Sequence, residues 1–206
     1  MLRILGKRQS INVRKVLWTC DEIGLPYSQE EWGAGTRPTS EAEFQLLNPK
    51  GLIPVVVDGD NALTESNTIV RYLATKHGRA DLLPVEPLAR AHVEEFMDWQ
   101  ATELNWSWRV AFQSIVRKNA HGTADQIAHS LAEWTRMMLL LEQRLADARP
   151  YICGAQFTVA DIVIGLSVNR WFQTPMERPA LPRIGSYFGK LMQRPAAATY
   201  LGGSTD

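Results

Sequence analysis

The stretch Asn48-Pro49-Lys50-Gly51-Leu52-Ile53-Pro54-Val55-Val56-Val57-Asp58-Gly59-Asp60-Asn61-Ala62-Leu63-Thr64-Glu65-Ser66 decides the fold of this chain. Ile53 to Val57 is an apolar, largely β-branched run opening with a proline. Proline cannot donate to a sheet ladder, so the run reads as a strand whose first residue needs no ladder bond. Asp58-Gly59-Asp60-Asn61 is a tight-turn signal, and Ala62-Leu63 starts the returning strand of a hairpin. Thr64 is a helix-capping residue type, and Ile69, Val70, Leu73 and His77 follow it with helical spacing up to Gly78.

Toward the N-terminus, Leu2 to Gly6 reads as a short strand, followed by the capping types Ser10 and Asn12. Val13, Val16, Leu17, Cys20 and Ile23 form one apolar helical stripe, which Gly24 closes. Tyr27 to Trp32 reads as a second strand, and Gly33 to Pro38 as a loop. Glu41 to Leu47 makes a short helix that Asn48-Pro49 stops. The order is β-α-β-α-β-β-α, a small α/β layer with a mixed sheet over residues 1–80. Residues 81–87, Asp81 to Pro87, read as a linker. Beyond it strand signals cease. One long helix is predicted from Pro87 to Lys118, a second from Thr123 to Arg149 and a third from Val159 to about Trp171. A fourth runs from Pro182 to Gln193, and a short one follows Pro195. The expected fold class is therefore α+β, with an all-α domain over residues 88–206.

At 206 residues the chain suits one large domain or two small ones. Apolar residues at 45% exclude a disordered chain, and 22 basic against 22 acidic residues argue against nucleic-acid and membrane partners. No apolar run is long enough to span a bilayer. The start of the chain is too soon polar for a secretory signal. Cys20 and Cys153 fit no metal or redox spacing, so a reducing, cytoplasmic setting and no metal are expected.

Three fragments carry chemistry. Ser10 stands before a helix N-terminus, where free amides and a partial positive charge favour an anion. Its plainer use, or that of Asn12, is to cap the helix. Pro54 with a cis Ile53–Pro54 bond would turn the Ile53 amide and carbonyl outward, ready to pair with a peptide as an added strand does. From these residues alone a trans proline at an edge strand is expected. Glu65 and Ser66 at the next helix start suit an ammonium and a carboxylate; a polar first turn is the plainer reading.

Their joint order resembles the glutathione-binding domain of cytosolic glutathione transferases, near the bacterial members grouped with the theta, nu and beta classes. The resemblance lies in Ser10 to Trp18, Glu22 to Tyr27, Asn48 to Val55 and Leu63 to Leu73. In the helical half, Thr158 to Ile162 resembles the family's capping box, and Arg194-Pro195 a familiar helix end. It implies a thioredoxin-like domain followed by an all-α helical-bundle domain, a cis bond before Pro54, and glutathione as co-substrate without a tightly bound cofactor. By the same match Ile53 binds the cysteinyl backbone of glutathione, and Glu65 and Ser66 hold its γ-glutamyl end. Ser10 stabilises the thiolate, with Asn12 as its rival. A homodimer is implied as well.

Two departures matter. Ser10 stands where beta-class members carry a cysteine, and Cys20 belongs to the apolar stripe, hence to the core. Leu52 occupies the slot where theta-like members often have a lysine, leaving Lys50 and Arg37 as candidates for the glycine carboxylate. Trp108 and Phe112 are one helical turn apart on the helix that borders the family's electrophile pocket, with Arg109 beside them for an anionic group. Burial in the core is the plainer reading for these aromatics. The expected activity is conjugation of the glutathione thiolate to small hydrophobic electrophiles, a detoxification chemistry. A glutathione-dependent disulfide reductase or peroxidase is one alternative, and a non-catalytic glutathione-binding scaffold is another.

Overall fold

The computed structural model describes residues 1–119, 121–147 and 149–202; residues 203–206 of the expected helical domain, and Ala148 of its second helix, lie outside them. Strands β1 (Leu2–Leu5), β2 (Tyr27–Glu30), β3 (Val55–Asp58) and β4 (Asn61–Leu63) form one sheet in the order β2-β1-β3-β4. β2 runs parallel to β1, whereas β3 pairs antiparallel with both β1 and β4. Side chains alternate across a strand. Ile4 and Val56 therefore join the main core, while Leu5 and Val55 join a second cluster with Trp32 and Phe44.

Helices α1 (Ile11–Ile23), α2 (Ala42–Leu47) and α3 (Ser66–Lys76) complete this thioredoxin-like layer. Gly24 ends α1 in the left-handed conformation at φ 75°. The expected cap of α3 is corrected. The cap position is Glu65, with φ 66° and no side-chain capping bond, rather than Thr64.

The helical half comprises α4 (Pro87–Trp99), α5 (Asn105–Ile115), α6 (Ala124–Arg144), α7 (Val159–Gln173), α8 (Pro182–Leu191) and α9 (Pro195–Leu201). The single long helix expected from Pro87 to Lys118 is interrupted by a π-helical turn at Gln100–Leu104. Gln100 is buried there, accepting from Lys15 Nζ at 2.8 Å and donating to Asn105 Oδ1 at 2.7 Å. The second predicted helix also ends early, at Arg144.

α7 is buried along its length, with a capping box at its start: the Thr158 amide donates to Asp161 Oδ2 at 2.8 Å. A Cβ on Gly165 would lie 2.6 Å from Leu191, with Trp18 of α1 next nearest. Only glycine lets the α8 and α1 side chains approach α7 this closely. Trp18 stacks on Tyr200 of α9 at 6.1 Å, so one core runs through both halves.

Candidate active site

Two cavities meet at the N-terminus of α1. One, of about 580 Å³, is lined by Lys7, Ser10, Thr39, Gly51, Leu52, Ile53 and Arg117 among others. The second, of about 340 Å³, lies between α1 and α5 and is lined by Ser10, Asn12, Trp108, Arg109, Phe112, Arg117 and Arg170 among others. Ser10 and Arg117 belong to both. A further cavity of about 600 Å³ between α4 and α6 holds none of the expected site residues.

The capping role expected of Ser10 is corrected. It holds the cap position with extended backbone, yet its side chain makes no capping bond. Its carbonyl accepts from the Arg14 amide at 2.9 Å, the ordinary first bond of the helix. The hydroxyl therefore stands at the positive end of α1 without the task that a serine usually performs there. Asn12 is engaged: its Oδ1 accepts from Ser66 Oγ at 3.3 Å, tying the start of α1 to the start of α3.

The Ile53–Pro54 bond is cis, which corrects the trans bond expected from the residues alone and agrees with the resemblance. Among the described residues the Ile53 amide and carbonyl have no hydrogen-bond partner. Glu65 is exposed, pairs with Lys50 at 3.0 Å and sits at φ 66°, ψ 107°. A non-glycine residue rarely adopts that backbone, and such positions cluster at ligand sites.

The two candidates for the glycine carboxylate fare differently. Arg37 is taken up elsewhere, stacked 3.8 Å from the Trp32 ring and paired with Glu41 and Glu43 at 2.7 Å each. Its carboxylate partners lie within six residues of it in sequence, and it lines neither cavity. Lys50 is exposed, pairs with Glu65 and lines neither cavity. Lys7, which the sequence reading passed over, lines the larger cavity. A lone lysine in a turn after a strand carries no pattern that marks it.

Trp108 and Phe112 are buried and line the smaller cavity at once, so core and wall are not alternatives here. Their rings meet edge to face at 5.5 Å. Arg109 is exposed and lies over the ring of Trp106 at 5.0 Å. Arg170 of α7, also missed, is buried with its guanidinium 4.4 Å from the Trp108 ring and 4.1 Å from the Phe112 ring. An arginine following the largely apolar run Ile162 to Val168 in one helix was the available signal. Cys20 is wholly buried and its thiol is pushed up to about 12 by burial, as its core assignment requires.

The family model described as Glutathione S-transferase, N-terminal domain, matches residues 5–81. The chain is 34% identical over 200 residues to Glutathione S-transferase GstB of Escherichia coli (strain K12), covering 95% of each chain. The chain belongs to the glutathione S-transferase family. In structure it is similar to the theta class glutathione S-transferase from Xanthomonas axonopodis pv. citri with glutathione bound, with a TM-score of 0.92 and 34% identity. That match covers 100% of this chain and 99% of the other. The apo form of the same protein gives a TM-score of 0.83 at 32% identity, covering 100% of this chain and 98% of the other. The family's two-domain α+β fold accounts for a sheet layer whose first helix start faces a helical half. Among the described residues no helix is long and apolar enough to cross a membrane.

Proposed function

We propose that this chain is a glutathione transferase that conjugates the glutathione thiolate to small electrophiles. The observation that carries the reading is the uncommitted Ser10 hydroxyl at the positive end of α1, where the two cavities meet. Glutathione occupies the larger cavity. Its cysteinyl backbone pairs with the free amide and carbonyl of Ile53 beside Pro54. Its γ-glutamyl ammonium and carboxylate meet Glu65 and Ser66 at the start of α3, with Lys50 adjacent. Lys7 takes the glycine carboxylate in place of Arg37.

The thiol then lies beside Ser10. A free thiol ionises near pH 8.5, and each unit of lowering requires about 1.4 kcal/mol of selective thiolate stabilisation. A hydroxyl donor and a helix N-terminus supply one to two units in order of magnitude. Asn12 orients Ser66 rather than the thiolate. The electrophile enters the smaller cavity against Trp108 and Phe112, with Arg109 at the rim. The sulfur lone pair forms the new bond as the leaving group departs with its electron pair.

The division at residues 81–87, a cytoplasmic setting and a homodimer belong to the same reading. Neither cysteine lines either cavity, so disulfide reduction would depend on the glutathione thiol alone. Initial rates with glutathione and an aryl halide, an epoxide, a hydroperoxide and a mixed disulfide test the proposal. Turnover of the aryl halide or epoxide is expected. Glutathione binding without turnover of any of the four overturns it in favour of a scaffold.

A further inference from the structure

The smaller cavity carries three arginines, Arg109, Arg117 and Arg170, and no acidic residue among those that line it. None of the three has an ion-pair partner among the described residues. Arg109 and Arg117 are exposed, so water solvates them. Arg170 is different. Only 2% of its surface is accessible, and its Nε is buried without a hydrogen-bond partner. The charged groups that act on it, Arg117 and Arg14, are both cations. Burial, helped by these two charges, pushes its guanidinium down to about 9, so it is still charged at neutral pH.

A buried charge is normally paired, because taking an ion out of water without a partner is costly. The faces of Trp108 and Phe112 offset part of that cost through their ring quadrupoles. They leave the buried Nε–H unfilled, and the planar fork to which it belongs matches a carboxylate. Trp108 Nε1 is a second buried donor of the cavity wall without a partner.

We infer that the smaller cavity selects electrophiles carrying a carboxylate, which Arg170 binds from the cavity wall and Arg117 steers from the rim, while the reacting carbon faces Ser10. The inference rests on the assignment of this cavity to the electrophile, and it narrows the substrate class from apolar to anionic. With an aryl chloride the step balances as follows. The glutathione sulfur lone pair forms the carbon–sulfur bond, and chloride leaves with the carbon–chlorine pair. The thiol proton passes to solvent, and the carboxylate is unchanged.

The test compares two substrates, a chlorodinitrobenzene whose ring carries a carboxylate and the same ring carrying a primary carboxamide. Each kcat/KM is divided by the uncatalysed rate with glutathione, which removes the difference in intrinsic reactivity. The chain should prefer the carboxylate by roughly tenfold to a hundredfold, the range for one charged hydrogen-bonded contact. Arg170→Met and Arg117→Gln should each shrink that preference, and Arg170→Lys should retain part of it.

A preference near one overturns the inference, as does a preference that survives both Arg170→Met and Arg117→Gln. A loss of glutathione affinity in Arg170→Met with unchanged preference assigns the arginine to the co-substrate and also overturns it. Should Arg170→Met not fold, the exposed Arg117 decides through its own variant. If neither chloride reacts, the transferase reading has failed, and calorimetry with unreactive dinitrobenzoate and dinitrobenzamide decides the inference on its own. Tighter benzoate binding that Arg117→Gln weakens supports it, and equal binding of the two overturns it.

Discussion

Ser10 holds a cap position without capping, so its loss should leave the helix almost as stable while removing a donor from the site. Ser10→Ala is expected to raise the apparent pKa of bound glutathione by about one unit, worth about 1.4 kcal/mol, and to lower turnover roughly tenfold. Thiolate absorbance against pH measures the first effect and kcat the second. Asn12→Ala should instead weaken glutathione binding through Ser66 and leave the thiol pKa in place. The reverse pattern would transfer the thiolate to Asn12. Glu65 offers a sharper separation, because its backbone and side chain pull in different directions. Glu65→Gly relieves the positive φ and should stabilise the free chain by about 1 kcal/mol. The same change should weaken glutathione binding by about 1–3 kcal/mol, the range for losing a charged hydrogen bond. Denaturant unfolding and calorimetry read the two effects separately. A variant both less stable and unaltered in affinity would place Glu65 outside the site. Ser10, Asn12 and Glu65 stand out in the sequence because each falls at the start of a helix that follows a strand. That Arg37 lines neither cavity was not legible, because its stacking on Trp32 joins residues in a loop without periodicity.

Apolar periodicity marks an element clearly and its interruptions poorly. The pattern from Val93 to Ile115 reads as one helix because a π turn adds a residue without changing which residues are apolar. What sets the turn apart is Gln100, a buried polar side chain bridging Lys15 and Asn105. The turn sets the register of α5, and hence where Trp108 and Phe112 enter the cavity. Trp108 is expected to act in two ways when truncated. Its ring packs on Phe112 and lies 6.2 Å from Trp134, so Trp108→Ala should cost about 3 kcal/mol or more of stability. It should also change the rank order of electrophiles while sparing glutathione affinity, since it lines only the smaller cavity. Melting temperature together with a substrate panel checks both effects. A stability loss with the substrate order unmoved would leave Trp108 in the core alone. The order of elements along the chain and the helix count in the first layer were likewise legible, and the cis bond was legible through the resemblance. The caps were less so, because which of Thr64 and Glu65 closes a helix depends on one φ angle.

At the scale of the whole molecule, the interface between the sheet layer and the helical half buries polar groups that helical periodicity assigns to solvent. The apolar stripe of α1 shares the main core with Ile4 and Val56 of the sheet, yet Arg14, Lys15 and Thr19 on its other faces are buried too. Lys15 Nζ donates to Asn67 Oδ1 at 3.0 Å and to Gln100 Oε1 at 2.8 Å, joining α1 and α3 to the π turn. Burial is the main cause that lowers its pKa to about 7, and the charge on Arg170 adds to it. The unfolded chain holds that proton up to about pH 10.4. Between pH 7 and that value the unfolded state therefore binds more protons than the folded one, and the free energy of unfolding rises with pH. Below pH 7 both states are protonated and the dependence on this residue vanishes. The stability of the unaltered chain relative to Lys15→Met should thus be flat below pH 7. It should climb above pH 7 by at most about 1.4 kcal/mol per unit toward pH 10. Denaturant midpoints and slopes for both chains across that range measure the difference. A difference that falls with rising pH, or stays level throughout, would mean that Lys15 keeps its charge in the folded interface at all these pH values.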